Sequence, residues 1–127
     1  MASVGNEITK KNKRVALGIE RHLDRFASVH GARTWKQIAR HDPDNWKHFF
    51  LQIMNDPDSE VYFNLEDVDV WRGITRAASG SSGYYTDWEL LEIKTHPNWW
   101  SRVSWWMGEG GPVDNPFASE EHDDVSI

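Results

Sequence analysis

The sequence predicts a single small α/β domain in which a mixed or partly parallel sheet of about four strands carries helices packed on it. The chain has 127 residues, enough for one hydrophobic core but not for two. Its 39% hydrophobic and 27% charged residues are typical of a globular protein. Short apolar segments alternate with amphipathic helical patterns, which favours a partly parallel sheet with right-handed crossovers. A ligand is then expected at the carboxyl ends of the strands.

The first elements follow from a short apolar run and a helical periodicity. We predict a flexible arm over residues 1–12 and a strand over residues 13–17 that ends before Gly18. The next apolar residues recur at helical spacing and share one face: Ile19, Leu23, Phe26, Ala27 and His30. Gly31 follows directly, as is common after the last turn of a helix.

The segment after Gly31 contains a stretch whose secondary structure is ambiguous, followed by a clear helix start. Residues 33–35 fit either a short strand or the approach to a helical turn at 36–40, and both interpretations stay open. Asp42 and Pro43 then form a favourable helix start, because Asp caps a helix and Pro suits its first position. The helix ends at residues 55–57 and buries one face: Trp46, Phe49, Phe50, Ile53 and Met54.

The second half of the chain repeats the alternation. Residues 60–65 are β-branched and aromatic, which predicts a central strand. A helix then places five residues inward: Val70, Trp71, Ile74, Ala77 and Ala78. A Ser/Gly loop over 79–83 leads to a helix that begins at Thr86 and ends near Pro97. Three residues of that helix are expected to be partly buried: Trp88, Leu91 and Ile93. Residues 102–107 are predicted as the last strand, followed by a turn.

Charge is divided unevenly along the chain. The net charge is −6, yet residues 1–40 carry nine Lys or Arg against three acids, whereas residues 41–127 carry five against seventeen. An acidic protein binds polyanions poorly without specific contacts. The basic residues near the N-terminus therefore fit a solvated arm or a local patch that faces nucleic acid: Lys10, Lys11, Lys13 and Arg14. The globular domain is expected over 13–117, with an unfolded acidic tail over 118–127.

Several classes of protein are excluded or disfavoured. There is no cysteine, so disulfides, thiolate nucleophiles and zinc–thiolate sites are ruled out. No apolar run approaches the roughly 18 residues of a membrane span, and we see no signal peptide. The six histidines lack metal-ligand spacing, and we predict neither a metal nor a cofactor. Glu66, Asp67 and Asp69 could bind a divalent cation, but they also suit the N-terminus of a helix.

Asp69, Arg72 and Arg76 form the first candidate for substrate binding. On one helix they occupy positions i, i+3 and i+7, so both arginines share a face with the acid. Two guanidiniums four residues apart can clamp a phosphate or a carboxylate. The alternative is a surface pair between Asp69 and Arg72.

The acid–base candidates are His22 and Glu89. His22 lies beyond the first predicted strand, off the hydrophobic stripe, and imidazole titrates near neutral pH. The alternative is an exposed histidine without a role. Glu89 stands three residues after Thr86, which is the spacing of a capping box. The Ser/Gly loop before it could instead present backbone N–H groups to a phosphate.

Two pairs of adjacent tryptophans complete the unusual features. Neighbouring side chains on a strand face opposite sides, so Trp99-Trp100 and Trp105-Trp106 are expected to pack under helices on both faces. Base stacking or a partner interface is the alternative.

Several segments taken together are similar to the variable C-terminal domains of polymorphic toxins, which end RHS-repeat-associated and related secreted bacterial proteins. The resemblance covers roughly residues 13–117. Its strongest segments are Tyr62-Phe63-Asn64-Leu65, Val68-Asp69-Val70-Trp71-x-Gly73-x-Thr75-Arg76-Ala77-Ala78-Ser79-Gly80, and Thr86-Asp87-Trp88-Glu89-Leu90-Leu91-x-Ile93. Further matches are Val15-Ala16-Leu17-Gly18 and Asn115-Pro116-Phe117.

The resemblance implies a toxin domain that is made in the bacterial cytoplasm, delivered to a target cell within a larger secreted protein, and neutralised by a cognate immunity protein. Many such domains are nucleases, and others modify NAD or proteins. We therefore expect an enzyme acting on a phosphate-bearing substrate, RNA first, with Arg72 and Arg76 on the phosphate and His22 or Glu89 as acid or base. A protein-docking module with a Trp-rich surface, or an NAD-consuming toxin using Trp88 and Glu92, are the alternatives.

Overall fold

A computed structural model describes residues 13–38 and 45–118 of the chain. The predicted arm at 1–12, the predicted helix start at Asp42 and Pro43, and nearly all of the predicted acidic tail lie outside these residues. Among the described residues, no helix is both long and apolar enough to cross a bilayer.

The core of the fold is a five-stranded mixed sheet with the order β2-β1-β3-β4-β5. Its strands are β1 (Arg14–Gly18), β2 (Arg33–Thr34), β3 (Glu60–Asn64), β4 (Val103–Trp106) and β5 (Pro112–Val113). The first four are parallel, and β5 runs antiparallel to β4. The predicted mixed α/β sheet is confirmed. Of the residues 33–35 that were left open, Arg33 and Thr34 form a strand and Trp35 begins a helix. The fifth strand replaces part of a predicted turn, because Pro112 and Val113 pair with Trp106 and Trp105.

The described part of the chain contains five helices, four of which contribute buried side chains to the two faces of this sheet. They are α1 (Glu20–Val29), α2 (Trp35–Ile38), α3 (Trp46–Asn55), α4 (Val70–Ala78) and α5 (Tyr85–Thr95), with short 3-10 segments at Pro97–Arg102 and Gly108–Gly110. Buried residues of α3, α4 and α5 join one core cluster, and those of α1 join another. The sheet therefore separates a larger core from a smaller one.

Alternation along the strands divides the apolar side chains between these two cores. Phe63 and Trp105 belong to the larger core, and their rings stack at 5.2 Å. Tyr62 and Trp106 pack on the smaller core beside Phe26 of α1. The prediction that adjacent tryptophans of the last strand pack on opposite faces is confirmed for Trp105 and Trp106.

Two details of the predicted helix faces are wrong. Trp71 was expected inward but is 42% exposed, and Ala78 is also exposed. The buried stripe of α4 instead runs through Gly73, Ile74 and Ala77, because the helix packs closely on α5 at the glycine. The Trp71 ring makes an edge-on contact with Phe117, with ring centroids 5.9 Å apart.

The chain leaves β1 and β3 toward opposite faces of the sheet, and this divergence opens a crevice between the two neighbouring strands. β1 continues into α1 over the smaller core, whereas β3 leads to α4 over the larger one. Such a switch point is where open α/β sheets bind ligands.

Asn64, 1% exposed, sits at the centre of the switch point. Its Oδ1 accepts hydrogen bonds from the backbone N–H groups of Glu66 at 3.0 Å and Gly108 at 2.9 Å. Its Nδ2 donates to the carbonyl of His22 at 3.4 Å. Gly18 packs against it with φ of 146°, where an added Cβ would meet the Asn64 carbonyl at 2.7 Å. One amide side chain thus connects the first turn of α1 with the segments that follow β3 and β4.

We expect Asn64→Ala to lower the free energy of unfolding by about 2–4 kcal/mol, because the amides of Glu66 and Gly108 lose their acceptor. Urea denaturation measures the change, with Asn98→Ala at an exposed position as the control. A loss no larger than that of the control would show that Asn64 does not hold the loops together.

Candidate active site

A cavity of about 840 Å³ opens at the switch point. Its walls come from the start of α1, the loop after β3, and the segment that opens α5. This volume lies within the range of small-molecule sites, roughly 300–1,000 Å³. The site contains three groups of polar side chains, built around Glu89, Asp87 and His22.

Glu89 lines the cavity, yet its residue is only 2% exposed. The indole N–H of Trp46 donates to its Oε2 at 3.0 Å. Burial raises the pKa of Glu89 to about 8, against a usual value of 4.5, and the Trp46 hydrogen bond opposes this only in part. Glu89 is therefore a carboxylic acid that keeps its proton at neutral pH, as a general acid requires.

The predicted capping box between Thr86 and Glu89 is wrong. Helix α5 begins one residue earlier than expected, at Tyr85. The Thr86 hydroxyl donates to the carbonyl of Gly18 at 3.2 Å, which fastens α5 to the end of β1. The Glu89 side chain therefore does not cap the helix, and it accepts a hydrogen bond from Trp46 instead.

Asp87 forms the second group with Arg76. The Arg76 Nε and Nη2 donate to the two carboxylate oxygens of Asp87 at 2.8 and 3.1 Å, a bidentate arrangement. The Ser82 hydroxyl adds a bond of 2.6 Å. Asp87 is buried and needs Gly73, because a Cβ there would lie 2.5 Å from its Oδ1. This pairing fixes Arg76 at the cavity wall.

His22 and Asp67 form the third group at the rim. The His22 Nε2 lies 2.7 Å from Asp67 Oδ2, and Arg21 donates to the same oxygen at 3.3 Å. The hydrogen bond from His22, followed by that from Arg21, lowers the pKa of Asp67. Asp67 has φ of 61°, an uncommon conformation for a residue other than glycine. The carboxylate orients the imidazole, as in many acid–base pairs.

The predicted site residues differ in whether they line the cavity. Arg76, Asp69 and Glu89 line the cavity. His22 does not line it directly, but its partner Asp67 and its neighbours Arg21 and Leu23 do. Arg72 is exposed on α4, outside the set that lines the cavity.

The expected contact between Asp69 and Arg72 takes a different form. Asp69 caps α4, and its Oδ1 accepts the backbone N–H of Arg72 at 3.2 Å. The predicted two-arginine clamp stays a prediction, although Arg76 already binds Asp87 through two of its donors.

Asp87, Asp67 and Asn64 contribute to the site in ways that were not predicted from the sequence. Asp87 and Arg76 are 11 residues apart, on different helices, so no helical spacing links them. Asp67 is joined to His22 across 45 residues. The one available signal was Asn64 itself, a polar residue ending an otherwise apolar central strand.

The remaining acids and bases near the sheet are largely paired with each other. Within the described residues, no group of three or more His, Asp or Glu side chains is arranged to hold a metal ion. At the opposite edge of the sheet, Lys13 pairs with Asp56 and Arg14 with Glu60. Lys10 and Lys11 of the predicted basic patch lie outside the described residues.

Comparisons with family models, curated proteins and solved structures gave no match for this chain. The likeness to polymorphic toxin domains stays a prediction from sequence.

The raised pKa of Glu89 makes stability depend on pH. Between its usual pKa of 4.5 and the raised pKa of about 8, the folded chain holds a proton on Glu89, which the unfolded chain releases near pH 4.5. The contribution of Glu89 to the free energy of unfolding is therefore fully present below pH 4.5 and is lost as pH rises toward 8. We expect the free energy of unfolding of the wild type to fall by on the order of 4 kcal/mol relative to that of Glu89→Gln across this pH range. Chemical denaturation of both proteins at several pH values measures it. A constant difference between the two curves would mean that Glu89 titrates normally.

Proposed function

We propose that this chain is a toxin domain that cleaves RNA by general acid–base catalysis in the switch-point cavity. The observation that carries the proposal is Glu89, a buried acid with a pKa of about 8 that lines a cavity. Strongly shifted titratable groups in clefts are typical of active sites. Arg76 lines the same cavity and supplies a cation, and Asp67 holds His22, the proposed base, at its rim.

The proposed step is a transesterification that requires no cofactor. His22, oriented by Asp67, takes the proton from a ribose 2′-hydroxyl, whose oxygen attacks the adjacent phosphorus. The bond from phosphorus to the 5′-oxygen breaks, and Glu89 donates its proton to that leaving oxygen. The products are a 2′,3′-cyclic phosphate and a free 5′-hydroxyl.

The charges of the site are compatible with an anionic substrate, although several acids line it. Glu89 is neutral below its pKa of about 8. Asp87 is paired with Arg76, and Asp67 with His22 and Arg21. Glu20 is paired with Lys36, and Asp69 accepts the backbone N–H of Arg72 at the start of α4. We propose that Arg76 contacts the phosphate, since its Nη1 is not used by Asp87, and that exposed Arg72 contacts a neighbouring phosphate.

The biological setting follows the sequence resemblance. We propose that the domain is delivered to a target cell as part of a larger secreted protein and is neutralised by a cognate immunity protein. The burial of Trp99 and Trp105, with Trp106 packed on the smaller core, favours an enzyme over a module that docks through these tryptophans.

An NAD-consuming toxin is the second candidate. Trp88 and Glu92 both line a smaller cavity next to the first one, which gives some support to this alternative. Loss of cellular NAD with intact RNA would favour it over RNA cleavage.

Tightly controlled expression of the chain in the bacterial cytoplasm tests the proposal. We expect growth arrest with fragmented RNA, and at least 100-fold weaker RNA cleavage for Glu89→Gln and His22→Asn, because each removes a proton-transfer group. The matched controls are Glu60→Gln at the opposite edge of the sheet and His48→Asn on an exposed face of α3. Normal growth with soluble protein, or equal toxicity of all four variants, would contradict the proposal.

A further inference from the structure

Glu89 and Trp46 meet in the wall between two adjoining cavities. Glu89 lines the switch-point cavity, whereas Trp46 lines a second cavity of about 450 Å³. Neither residue belongs to the lining of the other cavity. The hydrogen bond of 3.0 Å from Trp46 Nε1 to Glu89 Oε2 therefore runs through the wall. Oε2 is consequently directed toward the second cavity and away from the proposed site of reaction.

The indole of Trp46 has a fixed plane, because it stacks on two other rings. The ring centroids lie 5.7 Å from Phe50 and 5.1 Å from Tyr85, and the planes differ by 15° in both pairs. Phe50 is itself buried in the larger core. Rotation of the indole would disrupt both stacks, so its N–H keeps one direction.

The direction of this N–H decides which oxygen of Glu89 carries the proton. An indole N–H donates and does not accept, so the oxygen that faces it is an acceptor. In a protonated carboxyl the carbonyl oxygen is the stronger acceptor, and the other oxygen carries the hydrogen. Because Glu89 keeps its proton at neutral pH, Oε2 is its carbonyl oxygen and Oε1 is its hydroxyl oxygen.

The hydroxyl oxygen of Glu89 is open to the switch-point cavity. In the part of the chain that the structure describes, the bond from Trp46 is the one hydrogen bond to this carboxyl. The buried side-chain atoms that lack a partner there are the indole nitrogens of Trp105 and Trp106, and Oε1 is not among them. An oxygen that has no partner and is not buried is reached from solvent, and the cavity that Glu89 lines is the route.

We infer that Trp46 is a positioning residue that holds the Glu89 carboxyl by Oε2 and so directs the hydroxyl on Oε1 into the switch-point cavity. Without the indole N–H, the carboxyl can rotate and bring its unprotonated oxygen to the cavity instead. The catalytic consequence rests on the proposed function, since it requires Glu89 to donate this proton. The orientation of the carboxyl requires only the contacts of Trp46 and Glu89.

Nuclear magnetic resonance of the full chain, with labelled tryptophan indoles and glutamate carboxyls, tests the orientation without a substrate. Ionisation of Glu89 strengthens the bond from Trp46, because a charged acceptor binds an N–H more strongly. We expect the Trp46 indole resonance to titrate together with the Glu89 carboxyl, near pH 8, and this titration to disappear in Glu89→Gln. The indole of Trp100 donates to the carbonyl of Ile93 at 2.7 Å and is the internal control, which should not follow this titration.

Trp46→Phe tests the consequence for cleavage, because it retains an aromatic ring and removes the N–H. We expect kcat for a ribodinucleotide to fall about tenfold or more with KM changed less than about twofold, since a misdirected proton costs rate rather than binding. The pH at which the rate begins to fall should rise by about one unit, because ionised Glu89 loses a hydrogen bond that stabilises it. Trp100→Phe also removes an indole N–H and should leave kcat and the pH profile unchanged.

A Trp46 resonance that stays constant while Glu89 titrates, or a Trp46→Phe variant with the kcat and pH profile of the wild type, would overturn the inference. The resonance is read on the wild type and on Glu89→Gln, so this result does not require Trp46→Phe to fold. Coupled titration of Trp46 and Glu89 in a chain that does not cleave RNA would retain the orientation and contradict the nuclease proposal. Cleavage that Trp46→Phe leaves unaffected would retain the nuclease and contradict the positioning role.

Discussion

The hydrogen bonds of the Asn64 side chain are the constraint on which the candidate site depends. The first turn of α1 and the segments after β3 and β4 meet at the carboxyl edge of the sheet, around the buried side chain of Asn64. Asn64 accepts from two of them and donates to the third. A carboxamide suits this position because one side chain carries both an acceptor oxygen and donor hydrogens. The walls of the cavity are consequently fixed relative to the strands.

The second organising feature is that two carboxyl groups on α5 have different hydrogen-bond partners. Asp87 and Glu89 are both buried, and they lie two residues apart. Asp87 faces the guanidinium of Arg76 and is ion-paired, whereas Glu89 has the indole N–H of Trp46, which carries no charge. A buried carboxyl without a cation keeps its proton. One helix thus anchors Arg76, which we propose binds the phosphate, and carries the protonated Glu89 that we propose as the acid of the same cavity.

Elements that depend on local patterns could be predicted from the sequence. The stripe of Leu23, Phe26 and Ala27 gave α1, and the apolar run before Asn64 gave β3. Strand β5 could not be predicted, because two residues carry no periodicity and owe their conformation to Trp105 and Trp106. Trp71 was placed inward on hydrophobicity alone, although the close packing at Gly73 decides which face of α4 is buried.

The site was less predictable than the fold. His22, Arg76 and Glu89 could be nominated by residue type and position, but their partners lie far along the chain or on another helix. Thr86 and Glu89 have the spacing of a capping box, yet tertiary bonds to Gly18 and Trp46 take precedence. Burial of Glu89 arises from the assembled larger core and from no local signal. Properties that depend on long-range packing, including its pKa, therefore required the structure.

The central claim is that protonated Glu89 is the general acid, and the pH dependence of the cleavage of a ribodinucleotide tests it most directly. The account predicts that the cleavage rate begins to fall near pH 8, where Glu89 loses its proton, and that it falls about tenfold per pH unit above that pH. It also predicts a 2′,3′-cyclic phosphate product. A rate that stays constant from pH 7 to pH 10, or the absence of cleavage at any pH, would contradict the account.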